Sequence, residues 1–529
     1  MEIEYAGDVS RTFGKFNSQC AVFRMNLCLQ PASARTHGNP QLNSAARNYR
    51  EQMMAVSKRE EMEQILRLQR SVFTANRPEE MSKRVDRINR ALTLLKTHAK
   101  EFAKVMAIDF GSRSIQQSIL TDIAATVGLG RYSLKNMAKW TKTEKRKVQF
   151  PLGLMGARAE VRYEPKGVVG ILSPWNFPVN LAFSPLMQIF AAGNRAMIKP
   201  SEFTERTSLL MAELVNEYFT PDEVAIITGG PEVAAEFSSL PFDHLVFTGS
   251  TATGRRVMEA ASANLVPVTL ELGGKSPVFM GRSADMARAG ERIALGKMMN
   301  AGQICLSPDY MIVPEDKEDE AIAGVSNAAA ALYPTVLHND DYASIVSDRH
   351  FDRLQEVVAD ARDKGAEVIE VNPANEVFSN TNARKMPLTI LRNVEDGMLA
   401  MQEELFGPVL PVKTYRNIDE AIDYVNENDR PLGLYYFGED NAEQKQVLTR
   451  TISGGVTAND VIFHISMDDL PFGGIGPSGM GSYHGVEGFR EFSHARAVYQ
   501  QPKIDIAKLG GFKPPYGKAT DNALARLLK

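Results

Sequence analysis

Cysteine is scarce in this 529-residue chain, which holds only Cys20, Cys28 and Cys305. So sparse and odd a set argues against a secreted disulfide framework and fits a reducing compartment. Two of the three fall in the first thirty residues, so the main body carries a single thiol. Taken alone, a lone cysteine reads as a small buried hydrophobe. The eight histidines are scattered, without metal-ligand spacing and without cysteine pairs beside them, so no structural metal is expected. No apolar run is long enough to span a bilayer. Charge of one sign is not in large excess: the net charge is −4 and the isoelectric point about 6.2. Neither value points to a nucleic-acid or anionic-membrane partner, and the expected location is cytoplasmic. Internal repeats and low-complexity segments are also missing.

What is present is ordinary for a globular protein, with 44% hydrophobic and 23% charged residues. The length suits two or three domains that bury large cores without disulfides. The first fifty or so residues stand apart. After Glu2, Glu4 and Asp8 no acidic residue occurs until Glu51, while Arg11, Lys15, Arg24, Arg35, Arg47 and Arg50 fill the gap. A basic, acid-poor stretch can be a transit peptide, but the acidic start and weak helical pattern count against it. The expectation is a leader over 1–55 that is either disordered or the product of an early start codon, with Met53 or Met54 as the true start. Order begins near Lys58. A first amphipathic helix carries Ile65, Leu66, Val72 and Phe73. Pro78 opens a second, where Met81, Val85, Ile88, Leu92 and Leu95 recur at steps of three and four. From Val168 onward short β-rich runs (Val168 to Leu172, Ala196 to Ile198, Val224 to Ile227, His244 to Phe247) alternate with helical patterns such as Ser208 to Phe219. That alternation predicts parallel βαβ units in a doubly wound sheet. A second alternation after Cys305, with strands at Tyr310 to Val313, Val368 to Val371 and Val409 to Thr414, predicts a second α/β domain.

Three stretches carry chemistry. Phe247-Thr248-Gly249-Ser250-Thr251-Ala252-Thr253-Gly254 follows a strand and opens a helix, where glycines let a phosphate approach backbone N–H groups at a positive helix end. The spacing is not G-x-G-x-x-G, and Arg255 and Arg256 exclude a P-loop. A plain strand-to-helix turn explains such glycines as well. Leu270-Glu271-Leu272-Gly273-Gly274-Lys275-Ser276-Pro277 sets one carboxylate beside a glycine pair, although Glu271 in isolation also reads as a solvated loop acid. Asn300-Ala301-Gly302-Gln303-Ile304-Cys305 presents the body's only thiol after a small, flexible loop.

With these three stretches the chain resembles the aldehyde dehydrogenase superfamily. Its motifs occur in order: Pro174-Trp175-Asn176-Phe177-Pro178, Ile198-Lys199-Pro200-Ser201-Glu202, Phe247 to Gly254, Leu270 to Pro277, Gly302 to Cys305, Glu403-Glu404-Leu405-Phe406-Gly407-Pro408, then Pro471 to Gly474 and Ser478 to Gly481. Together they cover nearly everything from Lys58 to Gln501. Cys305-Leu306-Ser307-Pro308-Asp309-Tyr310 and Asp109-Phe110-Gly111 are similar to the coniferyl aldehyde dehydrogenase branch.

The resemblance implies an α/β fold of three parts. A dinucleotide-binding domain spans 56–140 and 161–272, and a catalytic domain spans 273–470. An oligomerisation arm combines 141–160 with 481–502, and 503–529 form a tail. It implies Cys305 as nucleophile, because a bare carbonyl is a poor hydride donor and a thiolate adduct is a good one. Asn176 and the Cys305 backbone N–H would hold the oxyanion. Glu271 would activate the water that releases the thioester. The cofactor, NAD or NADP, would meet Trp175, Lys199, Glu202, Gly249, Ser250, Gly254, Glu404 and Phe406. Trp175 reads equally as a core aromatic. A carboxylate at Glu202 favours NAD by repelling a 2′-phosphate, yet relatives with the same Lys-Pro-Ser-Glu run take both. Gly473 to Gly481 is expected to be a structural loop, and Ile304 and Phe463 to be apolar wall or core residues. No metal, nucleic acid or membrane enters this reading. The expected substrate is an aromatic or medium-sized apolar aldehyde. The expected assembly is a homodimer, with a tetramer as the alternative. A coenzyme A-acylating enzyme is the rival among enzymes, and Glu271 argues against it. A non-catalytic relative is the rival outside them, and the presence of Cys305, Glu271 and Asn176 argues against that.

Overall fold

The computed structural model describes residues 57–150, 152–378 and 381–529. The leader, with Cys20 and Cys28, lies outside them up to residue 56.

The β-rich runs of the first alternation become strands β3 (Val168–Leu172), β4 (Arg195–Lys199), β5 (Val224–Ile226), β6 (His244–Gly249) and β7 (Val268–Leu272). Ahead of them stand β1 (Glu144–Arg146) and β2 (Arg158–Pro165). The second alternation gives β8 (Pro277–Met280), β9 (Tyr310–Pro314), β10 (Glu367–Val371), β11 (Leu388–Arg392), β12 (Val409–Tyr415), β13 (Gly433–Phe437) and β14 (Gly455–Ala458). The chain closes with β15 (Gly479–Met480) and β16 (Ser493–Gln500).

Six strands form one sheet in the order β15-β7-β6-β3-β4-β5. All its pairings are parallel except that of the short β15 with β7. From β3 the chain winds outward through β4 and β5, then returns to β6 and β7 on the other side. The winding therefore reverses between β3 and β6, and the crevice beyond their carboxyl ends is where such sheets take ligands. Every residue of β3 and β4 is buried, as expected for strands covered on both faces. One face is covered by the helices Met81–Thr97 and Asn180–Ala192, whose Leu92, Phe183, Leu186 and Phe190 share a core with Ile171 and Ile198. Fully burying a phenylalanine contributes about 1.5–3 kcal/mol, so Phe183→Ala is expected to cost roughly 3–5 kcal/mol. On the other face Met62 and Leu66 of the helix Lys58–Ala75 pack with Met197 and Leu245.

The second sheet, β10-β11-β12-β9-β8-β13-β14, draws its strands from residues 277–458 and is parallel apart from β10. The third, β1-β2-β16, is antiparallel, and β2 and β16 pair over eight residues with most side chains exposed or half-buried. Strand β2 runs through the expected boundary between 160 and 161.

One helix start differs from expectation. The second helix begins at Met81 rather than Pro78, because Glu80 stays extended (φ −66°, ψ 145°) as its cap and leaves Pro78 outside. A π-helical stretch, Ile119–Ala124, interrupts the run from Ile115 to Trp140. Such bulges gather at functional sites.

Candidate active site

The helix Met286–Met298 ends in a turn with Asn300 (φ 50°), Ala301 (φ 52°) and Gly302 (φ 74°) all left-handed. A non-glycine residue in that region costs on the order of 1–3 kcal/mol and persists only where its surroundings over-determine it. Here they do. Buried Gln303 donates from Nε2 to the carbonyls of Asn300 (2.9 Å) and Ser344 (3.1 Å), and its Oε1 accepts from the Val346 N–H at 3.0 Å. The Asn300 N–H donates to Gln117 Oε1 at 3.2 Å. At Gly302 a Cβ would lie 2.4 Å from the Gly407 carbonyl oxygen. This turn delivers Cys305, a half-buried free thiol.

Asn176 follows the carboxyl end of β3 and is 3% exposed. Its Nδ2 donates to the Gln303 carbonyl at 3.1 Å, which ties it to the cysteine turn and leaves a second N–H on the same amide. Its own carbonyl accepts from Arg113 Nη1 (3.0 Å) and Asn300 Nδ2 (3.3 Å).

Glu271 sits near the carboxyl end of β7 and is 2% exposed, and neither carboxylate oxygen has a hydrogen-bond partner. Burial, with the Glu491 charge behind it, holds its carboxyl well above the usual range. Glu404 is the second acid. The backbone just ahead of it is fixed by Lys275 Nζ, which donates to the carbonyls of Ala400 (2.7 Å) and Glu403 (3.0 Å) and pairs with Asp309. Asp309 in turn accepts from the Leu405 N–H at 2.9 Å. Burial, then Asp309, pushes Glu404 up to about 8, and its Oε1 is unpartnered. Burial also raises the Cys305 thiol, and Glu404 and Glu271 raise it further, so both acids lie within electrostatic reach of the sulfur. A thiol, an amide and a buried acid around one cleft can form, stabilise and hydrolyse an acyl adduct.

The remaining candidates line the crevice where the winding reverses. Ser250 caps the helix Thr251–Ser262, accepting from the Thr253 N–H, and leaves an exposed helix end beyond β6. Gly249 precedes it; a Cβ there would meet the Phe247 ring at 2.6 Å. A Cβ on Gly254 would lie 2.6 Å from Leu272 Cδ2, so this glycine lets the helix close on β7. At the end of β4, buried Lys199 pairs with exposed Glu202 at 3.2 Å. Trp175 is half-buried and stands edge-on to Phe406, with ring centroids 5.3 Å apart, and Phe406 is held left-handed (φ 51°). A dinucleotide fits these residues. The capped helix end offers free N–H groups to phosphate, the Lys199–Glu202 pair offers a donor and an acceptor to ribose hydroxyls, and the unpartnered Glu404 oxygen offers another acceptor.

Ile304 packs in the core beside Cys305, whereas Phe463 is half exposed on a short 3₁₀ turn. The glycine-rich run serves packing. Gly479 pairs with Glu271 across the β15–β7 ladder, and a Cβ on Gly479 would lie 2.0 Å from the Leu270 carbonyl oxygen. Sequence reasoning passed over Gln303, Asn300 and Arg113, and also Tyr435 and Tyr483. Tyr435 donates to the Leu306 carbonyl at 2.5 Å, and buried Tyr483 lies within electrostatic reach of Glu271 and Cys305. Gln303 lies within the cysteine motif and Asn300 just ahead of it, so both have a local signal; Arg113, Tyr435 and Tyr483 come from distant segments without one. Among the described residues no group of three His, Cys, Asp or Glu is placed to hold a metal, and no helix is long and apolar enough to cross a membrane.

The aldehyde dehydrogenase family profile matches residues 39–498. The "Probable coniferyl aldehyde dehydrogenase" of Caulobacter vibrioides is 53% identical over 469 residues, 88% of this chain and 97% of that one. The "Coniferyl aldehyde dehydrogenase" of a Pseudomonas species is 51% identical over 451 residues, 85% of this chain and 93% of that one. Among solved structures, substrate-bound AldH of Staphylococcus aureus superposes with a TM-score of 0.81 at 34% identity, covering 88% of this chain and 99% of its own.

Proposed function

The chain belongs to the aldehyde dehydrogenase family, and from that premise we propose that it oxidises an aromatic or medium-sized apolar aldehyde of the coniferaldehyde class to the carboxylic acid, with NAD or NADP. The observation that carries the mechanism is Glu271, a buried carboxylate with both oxygens free within electrostatic reach of the only described thiol.

Cys305 passes its proton to Glu271, which releases it to solvent, and the thiolate sulfur adds to the aldehyde carbon. The new oxyanion takes hydrogen bonds from the free amide N–H of Asn176 and the Cys305 backbone N–H. The bound nicotinamide supplies the hydride acceptor. Loss of the carbinol hydride leaves a thioester on Cys305. Glu271 then takes a proton from water as the water oxygen attacks the thioester carbon and returns it to the departing sulfur, so that the carboxylic acid and the Cys305 thiol are released. Glu271 favours hydrolysis over transfer to coenzyme A, because transfer needs no base for water. Lys199 and Glu202 hold the adenosine ribose, Gly249, Ser250 and Gly254 shape the phosphate approach, Trp175 lines the groove, and Glu404 and Phe406 place the nicotinamide end. The six-stranded sheet with its helices is the dinucleotide-binding domain, the seven-stranded sheet the catalytic domain, and β1-β2-β16 the arm of a cytoplasmic homodimer.

The test is reduced-cofactor formation at 340 nm with coniferaldehyde, benzaldehyde, hexanal and acetaldehyde, each with NAD and NADP, with and without coenzyme A. Turnover without coenzyme A, with kcat/KM highest for the aryl aldehydes, is expected. Higher kcat/KM for acetaldehyde removes the substrate assignment, and an absolute need for coenzyme A removes hydrolysis.

A further inference from the structure

Nothing in the motif set involves the segment between Gly111 and Ala125, yet it reaches the centre of the site. Arg113 is fully buried and its guanidinium spans two acceptors, the Asn176 carbonyl at 3.0 Å (Nη1) and Asp122 Oδ2 at 2.8 Å (Nη2). It lies between two rings, 4.7 Å from the centroid of Phe110 and 5.3 Å from that of Phe177. Asp122, also fully buried, sits in the π-helical stretch. Its other oxygen accepts from the backbone N–H groups of Val179 (3.1 Å) and Asn180 (3.3 Å). The ion pair therefore grips the turn bearing Asn176 at both ends, at its own carbonyl and at the first N–H groups of the following helix.

Two buried charges are an expensive way to hold a loop. An apolar pair of similar volume is often neutral or better for stability. Retaining the charges is explained if the geometry they impose matters. Lys could not replace Arg here, because one ammonium does not offer the planar fork that spans both acceptors.

We infer that Arg113 and Asp122 are a positioning pair that fixes the Asn176 amide where the oxyanion forms. The inference rests on the reading of Asn176 as an oxyanion donor. It predicts an effect on the acylation step that passes through Asn176. Removing one oxyanion donor costs roughly 100- to 1,000-fold, and misplacing a group by about 1 Å can cost roughly 100-fold.

The experiment follows the pre-steady-state burst of reduced cofactor in wild type, Asn176→Ala, Arg113→Lys, the neutral pair Arg113→Gln/Asp122→Asn, and that pair combined with Asn176→Ala. The neutral pair avoids leaving a lone buried charge, and Asn at 122 still accepts from Val179 and Asn180. Expected is a burst rate roughly 10- to 100-fold lower in the neutral pair, with cofactor KM unchanged. Arg113→Lys should fall between it and wild type. In the Asn176→Ala background the neutral pair should add at most about twofold, since the group it positions is gone. A wild-type burst rate in both the neutral pair and Arg113→Lys overturns the inference. So does a loss of equal size with and without Asn176, which would make the pair a general support of the fold. If Asn176→Ala itself leaves the burst untouched, the oxyanion reading fails first, and the inference falls with it by a distinguishable route.

Discussion

The two edges of the six-stranded sheet hold a buried glutamate in opposite ways. At the edge where β4 and β5 begin, Arg87 meets Glu79 through two bonds of 2.6 Å and Glu223 at 3.1 Å. Arg90 reaches Glu223 at 2.6 Å, and Arg195 reaches Asp222 at 3.1 Å. Burial alone would raise the Glu223 carboxyl, but the hydrogen bonds and charges of Arg90 and then Arg87 outweigh it and pull it down to about 2. At the edge where β3 and β7 end, Glu271 is buried without a partner and is pushed up instead. Paired charges favour the folded state at neutral pH. An unpaired one opposes it and is kept for what it does.

Cys305→Ala breaks the chemical edge outright. Turnover should drop to background, because no other thiol lies among the described residues, while cofactor binding followed by fluorescence titration stays near wild type. Comparable turnover in the variant would defeat the covalent scheme.

Glu271→Gln tests the edge in two directions. Thioester release should slow more than its formation, so single-turnover cofactor reduction persists while steady-state turnover collapses. The rising limb of the pH–rate profile should vanish with the base. Stability should move the other way. A carboxyl raised in the folded state favours folding below its ordinary pKa, and that contribution is lost as pH rises toward the folded value. The variant should therefore be more stable than wild type at pH 8, with the gap closing toward pH 4 in denaturant titrations.

Glu223→Gln is the mirror image. With its carboxyl pulled down to about 2, wild-type Glu223 stabilises the fold above the ordinary carboxylate pKa and loses that contribution as pH falls toward 2. The variant should lose on the order of 2–3 kcal/mol at pH 7, less in acid, with kcat/KM unchanged. A catalytic defect comparable to that of Glu271→Gln would erase the distinction between the edges.

The sequence made this sheet legible because its strands are near-continuous apolar runs bounded by glycine and polar turns, as at Val168 to Leu172 and His244 to Phe247. Cys305, Glu271 and Asn176 were legible only as members of motifs with a known order. Their partners were not. Gln303 braces the cysteine turn through carbonyls at 300 and 344, and Arg113 reaches Asn176 across sixty-three positions. Such contacts depend on strand order and on a π-helical insertion, neither of which has a local pattern. The left-handed backbone at Asn300 and Ala301 was equally hidden, since long-range bonds such as that to Gln117 help hold those residues there.

The smallest expected effect separates the edges most finely. Ser250 and Asn417 are both N-cap residues whose side chains accept from a first-turn N–H, of Thr253 and Glu420 respectively. As caps they are equivalent, and replacing either with alanine should cost about 1 kcal/mol. Ser250, however, stands at the carboxyl end of β6 in the crevice where the winding reverses, and its helix end faces the proposed phosphate position. Asn417 opens the helix Ile418–Glu427, outside the six-stranded sheet. Ser250→Ala should therefore raise cofactor KM a few-fold with little change in kcat, on the scale of one neutral hydrogen bond. Asn417→Ala should match the loss of stability and leave cofactor KM alone. Equal KM values in the two variants would mean that the end of the helix Thr251–Ser262 is capped for the fold's sake only, and that the phosphates are held elsewhere.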